Sequence, residues 1–272
     1  MSDFSACFLL VFGQLAVGGL AALAVPPFGA LERGFYKSSA AVFLACGALY
    51  LSGRVALVVR AGTLSGAHLA EIALWAAFIG ATTLYLASLW GDAGRPRARA
   101  YAAALLLGLG ALSVSASTYR VGPLASPATV LYPAAFLVGA LSLGAVATGM
   151  LLGHWYLIDL GLSIEPMRRL FRYFVTVLIV QLAVLTLTLA ALALAPGARG
   201  AVASLWHDHT VLLAARFVLG PAAALGFGWM IHRTLQIPQT MAATGLFYIA
   251  ILFVLVGEIL GRLILFRTSL PL

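Results

Sequence analysis

Apolar residues run through this chain in windows of about twenty, separated by short polar breaks, which is the length a helix needs to cross a bilayer. The windows fall near residues 6–26, 39–59, 68–90, 99–117, 128–153, 173–195, 211–231 and 241–265. Between them stand residues that stop helices: Pro26 and Pro27, Gly91 to Pro96, Pro123 and Pro127, Pro196 and Gly197, and Pro238. The pattern predicts an all-α integral membrane protein, a bundle of about eight transmembrane helices in one domain over 1–272, since no connection is long enough to separate two. The first window lacks a basic leader and an Ala-x-Ala cleavage site, so it reads as a span rather than a removable signal.

Composition sharpens this picture. With 63% hydrophobic and 9% charged residues, and a mean hydropathy of +1.06, the chain has too little polar surface for a soluble globule, which excludes a soluble catalyst. Of its sixteen basic residues only Lys37 is a lysine, and they sit at window ends rather than along an aromatic-interleaved face. Charge so placed orients a protein in a lipid membrane and does not bind nucleic acid. The odd-numbered connections hold Arg33, Lys37, Arg95, Arg97, Arg99, Arg168, Arg169, Arg172 and Arg233, whereas the even ones hold Arg60, Arg120 and Arg199. The positive-inside bias then makes the odd connections cytoplasmic and places both termini on the outer, periplasmic side.

Seven polar residues lie where hydrocarbon is expected: Gln14, Arg54, His68, Glu71, Arg216, Glu258 and Arg262. An ionisable group costs about 2.5–3.5 kcal/mol at the bilayer centre on insertion scales, so each is a functional candidate. In the derived orientation all seven fall in the outer half, which predicts a polar pocket near the outer interface. A carboxylate there takes and gives protons, while His and Arg donors hold a carbonyl oxygen. Those are the needs of a quinone site.

Plainer roles exist for each. Glu258 and Arg262 have the i,i+4 spacing of an intrahelical ion pair, and Glu71 suits the positive end of a helix dipole. Arg54 and Arg216 can snorkel outward, and Gln14 can bond a neighbouring helix. Glycines such as Gly139, Gly144, Gly149, Gly220, Gly226 and Gly228 suit close helix packing.

A second cluster, GHWYLIDLGLSIEPMRRLFRYF (Gly153 to Phe174), crosses the cytoplasmic face. Trp155 and Tyr156 read as an interfacial belt, and Met167, Leu170, Phe171 and Phe174 alternate with Arg168, Arg169 and Arg172 as in a surface helix anchored in lipid. Cys7 and Cys46 stand alone in apolar windows, so no metal-ligating set is expected in this chain. A b-type haem requires two imidazoles on facing helices at matching depth. His68, His154, His207, His209 and His232 form no such pair in the sequence, which leaves haem b a minor alternative.

The sequence resembles the membrane anchor subunits of dimethyl sulfoxide reductase, the DmsC type, within the broader set of NrfD and polysulfide reductase anchors. The resemblance rests on FGQLAVGGL (Phe12 to Leu20), AHLAEI (Ala67 to Ile72), Arg216 in AARFVL, and GEILGRLILF (Gly257 to Phe266), the last being the most specific. It departs from the family where the Leu-His-Leu-Gly motif is expected, for this chain reads LVVRAGTL (Leu57 to Leu64).

Membership would imply eight spans in a bacterial inner (cytoplasmic) membrane, both termini outside, and a menaquinone or other quinone site near the outer face. It would also imply electron exchange with an iron–sulfur subunit that feeds a catalytic subunit of the molybdenum type, with no haem or metal held by this chain. By position Glu71 corresponds to the acidic residue that quinol oxidation requires in that family, and Arg216, Glu258 and Arg262 fall on family-like positions. Two other readings stand beside it: a haem-binding membrane cytochrome subunit, and a transporter or structural subunit without redox role.

Overall fold

The computed structural model describes residues 3–62, 65–120, 126–159, 161–237 and 239–272. Pro123, Pro238 and Leu64 lie outside them. Among the described residues, eight helical spans are long and apolar enough to cross a membrane. They are α1 (Asp3–Ala22), α2 (Arg33–Ala61), α3 (Gly66–Ser88), α4 (Gly94–Thr118), α5 (Ala128–Ile158), α6 (Glu165–Leu194), a broken seventh made of α8 (Thr210–Phe217) and α9 (Ala223–Gln236), and α10 (Thr240–Thr268). The short helix α7 (Arg199–Asp208) lies between α6 and α8, and no strand occurs among the described residues.

Local chemistry sets the ends. Gly62, at φ 62°, takes the left-handed conformation that closes α2, and its N–H bonds the Val59 carbonyl. The Ser65 hydroxyl accepts from the His68 backbone N–H and so caps α3. Pro166 occupies the first turn of α6, where its missing N–H costs nothing. Pro221 interrupts the seventh span: a π turn over Val218–Ala222, with Gly220 at φ −77° and ψ −108°, joins α8 to α9.

Helix α5 is the axis of the bundle, with 78% of its apolar window buried. Helices α1 to α4 gather on one flank, while α6, α9 and α10 gather on the other, and α1 also touches α10. In lipid, where apolar surface gains little by leaving the solvent, close contact supplies the attraction, and small residues permit it. A Cβ on Gly18 would strike the Ala140 carbonyl, and one on Gly144 would strike the Gly18 backbone, so α1 and α5 meet main chain to main chain.

Because successive spans run antiparallel, the arginine-rich connections collect at one end. There Arg33 donates to Asp92 at 2.7 Å and holds that exposed carboxyl below its ordinary range. The starts of α1, α3, α5 and α8 mark the other end, called here the carboxylate end.

The Gly153 to Phe174 segment differs from its expected form. Most of its described residues belong to the last turns of α5 and the first turns of α6. Met167, Leu170, Phe171 and Phe174 are buried within the protein. Spacing at i, i+3, i+4 and i+7 makes one apolar stripe, but the stripe is the same whether lipid or a neighbouring helix covers it. Tyr156 is likewise buried and donates to the Ser163 carbonyl at 2.6 Å, while Trp155 is half-buried and packs edge-on against Phe35.

Candidate functional site

Six of the seven candidate residues enter buried networks, but as two clusters rather than one pocket. The first joins α2, α3 and α4 around Glu71, which is fully buried. Its Oε1 accepts from the Tyr50 hydroxyl at 2.8 Å and the Ser115 hydroxyl at 2.7 Å. Arg54 Nη2 donates to Oε2 at 2.9 Å and Nε lies 3.1–3.2 Å from both oxygens. Trp75 Nε1 donates to Ser115 Oγ at 2.9 Å, and the Tyr50 ring lies against Trp75 with centroids 4.3 Å apart. The carboxylate thus has one guanidinium and two hydroxyls, the donor set that a buried anion needs. Arg54 does not snorkel outward as its position near a helix end allowed; it turns inward to Glu71, with 13% of its side chain exposed.

The second cluster centres on Glu258 of α10 and draws on α1, α6 and α8. Glu258 Oε1 accepts from Arg216 Nη2 at 2.7 Å and from Gln181 Nε2 at 2.5 Å. Oε2 accepts from Gln14 Nε2 at 3.0 Å, and the same amide nitrogen lies 3.1 Å from the Phe136 carbonyl of α5. Arg262 Nη2 lies 3.5 Å from Oε2, near enough for attraction but poorly aligned for a hydrogen bond. The intrahelical pair expected from the i,i+4 spacing is therefore present, and it is the weakest link of a five-residue network. Glycine makes the network possible, for a Cβ on Gly139 would collide with Glu258 Oε2 and stand 2.6 Å from Gln14 Nε2. Likewise Gly220 and Gly257 meet beside Arg216, and a Cβ on Gly257 would come 2.5 Å from the Gly220 Cα.

Donors and acceptors do not balance in this second cluster. Arg216 and Arg262 face a single carboxylate, leaving one positive charge in excess in a fully buried place. Among the described residues, Arg262 Nε, Nη1 and Nη2, Arg216 Nε and Gln14 Oε1 have no hydrogen-bond partner. The Arg262 guanidinium instead lies over the Phe136 ring at 4.0 Å.

Aromatic rings fill the space between the clusters. Tyr119 stacks on Phe136 with centroids 6.3 Å apart and meets Phe266 edge-on at 5.5 Å. Arg54 lies 5.8 Å from the centre of the Tyr119 ring. A row of Arg54, Tyr119, Phe136 and Arg262 thus runs from one carboxylate to the other, and Tyr119 and Phe266 are only half-buried.

His68 stands outside both clusters. Half-buried itself, it has Nδ1 3.1 Å from the Ser65 hydroxyl at the exposed start of α3. The other histidines are exposed or half-exposed at helix ends, so the five bring no facing pair of imidazoles into the buried core.

Sequence reasoning passed over Gln181, Tyr50, Ser115, Trp75 and Tyr119. Gln181 carried a signal, being an amide deep in an apolar window like Gln14. The hydroxyl and aromatic residues carried none, because such residues are ordinary inside membrane helices. Among the described residues no group of three or more His, Cys, Asp or Glu side chains is gathered as a metal would require.

Comparison with known protein families and with curated proteins finds no match.

Proposed function

We propose that this chain is a quinone-reactive membrane anchor subunit of a multisubunit respiratory oxidoreductase, which exchanges electrons between the quinone pool and an iron–sulfur centre on a partner subunit. The observation that carries the reading is the row of rings and guanidiniums between two buried carboxylates, with the unpartnered donors of Arg262 at one end of it. An aromatic ring bearing carbonyl oxygens suits such a place. Tyr119 and Phe266 offer it flat apolar surface, and Arg262 and Gln14 hold polar atoms that the described residues leave unbonded.

When bound, a quinone supplies a two-electron, two-proton couple. The chain's own task is to hold the ring and to move protons. Glu71 can take a proton through the Tyr50 or Ser115 hydroxyl, each within 2.8 Å of Oε1. Arg54 offsets its charge and, being partly exposed, links the carboxylate to the carboxylate-end surface. The Glu258 network fixes the opposite wall by joining four helices. Electrons leave for a centre held by a partner, since Cys7 and Cys46 are too few to ligate an iron–sulfur cluster.

The test is quinol-analogue oxidation in membranes carrying Glu71→Gln, with retention of the partner subunits measured alongside. The expected outcome is a fall of about 10²-fold or more in turnover, the scale of losing a positioned acid–base group, in an assembled complex. Normal turnover in an assembled complex would remove Glu71 from proton handling.

One observation favours a second reading, that of a transporter. The π turn at Gly220–Pro221 breaks a span beside the Arg216–Glu258 pair, and discontinuous helices mark ion and substrate sites in transporters. Proton or anion uptake by vesicles containing only this chain would favour it over the redox reading.

A further inference from the structure

The functional reading leaves the arginine-rich start of α6 without a role. A cavity of about 380 Å³ opens there between the first turns of α6 and the last turns of α9, at the end of the bundle away from both carboxylate clusters. Arg168, Phe171, Arg172, His232 and Gln236 line it together with Glu165. Phe171 and His232 stack with centroids 5.9 Å apart, and the ring of His232 lies 3.1 Å from the Gln236 amide nitrogen. Arg168 Nη2 donates to the Leu235 carbonyl at 3.2 Å, which fixes that guanidinium in the wall.

Charge at this rim is unbalanced. Glu165 accepts from both Arg169 and Arg172, at 3.0 and 3.3 Å. Arg168 and Arg172 line the cavity and Arg169 stands beside them on Glu165, so three guanidiniums meet the one carboxylate of Glu165. Guanidiniums in this excess, beside an amide and an imidazole, suit the oxygens of a phosphodiester.

Below the cavity the seam between the same two helices, called here the groove, is flanked by exposed apolar side chains. Ile179 follows Arg172 by seven residues on one face of α6, about 10 Å deeper at ~1.5 Å per residue, and its side chain is exposed. Trp229 precedes His232 on α9 and is exposed as well. Between them Gly228 stands against Val175, where a Cβ would lie 3.5 Å from the valine methyl, so the helices touch with little side chain between. A basic cavity at a helix end above an outward-facing apolar groove has the form of a phospholipid, headgroup over chain.

We propose that the α6–α9 cavity holds the headgroup of an anionic phospholipid, whose acyl chains lie along the Ile179–Trp229 groove. Neighbouring basic side chains between transmembrane helices bind such headgroups in the same way. Inorganic phosphate shares the headgroup chemistry but has no use for the groove.

The experiment uses the full chain, delipidated in detergent, and measures melting temperature and bound lipid by native mass spectrometry after adding phosphatidylglycerol, phosphatidylcholine or inorganic phosphate. Phosphatidylglycerol alone is expected to raise the melting temperature and stay bound. Arg172→Gln, at an exposed position, should weaken its retention several-fold, as should Arg168→Gln if that variant folds. Arg33→Gln, at another connection of the same end, should leave retention unchanged. Equal effects of phosphatidylcholine, an equal shift with inorganic phosphate, or an equal loss in Arg33→Gln would each overturn the proposal.

Discussion

At the scale of single residues, the unusual feature is how completely the buried carboxylate of one cluster is satisfied and how incompletely a guanidinium of the other is. Glu71 has a guanidinium and two hydroxyls, whereas Arg262 has an aromatic face and a distant carboxylate. A fully paired anion is a stable element of a membrane core; unpaired guanidinium N–H groups in the same core are costly and mark a place suited to a ligand's oxygen. Gly139 is where this chemistry depends on the absence of a side chain. Gly139→Ala should push Glu258 and Gln14 apart and cost about 1–3 kcal/mol, the range for overpacking a tight site. Thermal unfolding in detergent would show it; an unchanged midpoint would mean that the network has slack.

At the scale of elements, the seventh span differs from the others because it is not one helix. Pro221 cannot donate to the helix ladder, the π turn absorbs the missing bond, and the displaced backbone brings Gly220 against Gly257 of α10. Arg216, one turn before the break, is aimed at Glu258 by this arrangement. Gly257→Ala would set a methyl against main chain, which has no rotamer to yield, so the spans must separate. The expected loss is about 1–3 kcal/mol of stability, with Arg216 displaced from Glu258. Gly245→Ala on the same helix meets open space and should instead gain about 0.5–1 kcal/mol. A similar response of the two variants would show that the Gly220–Gly257 approach does not hold the spans together.

At the scale of the whole molecule, the antiparallel bundle separates two kinds of polarity. The carboxylate networks lie toward one end and the arginine-rich connections at the other, so a bilayer would see an asymmetric object. The positive-inside bias expects the arginine-rich end on the cytoplasmic side. Cysteines placed at Asp92 and Ala203, in a background lacking Cys46, should react with an impermeant thiol reagent from opposite sides of the membrane, Ala203→Cys from outside and Asp92→Cys only after permeabilisation. The reverse pattern would invert the orientation and move the proposed quinone site to the inner face.

The number of spans, their order and approximate limits, and six residues of the buried networks were legible in the sequence. The reason is energetic: hydrocarbon penalises each polar group so strongly that apolar windows and their exceptions stand out one residue at a time. Rotation about each helix axis has no such local signature. Only tertiary packing decided that Glu71 and Glu258 belong to different networks, that Gln181 joins the second, and that Tyr50, Ser115 and Tyr119 complete the first and bridge the two. It also decided that the amphipathic start of α6 buries its stripe in protein, since an apolar stripe records that something covers it and not what. Contacts between helices far apart in the chain, such as Gln14 with Glu258, depend on how glycine-lined surfaces fit, and that fit is a property of the assembled bundle.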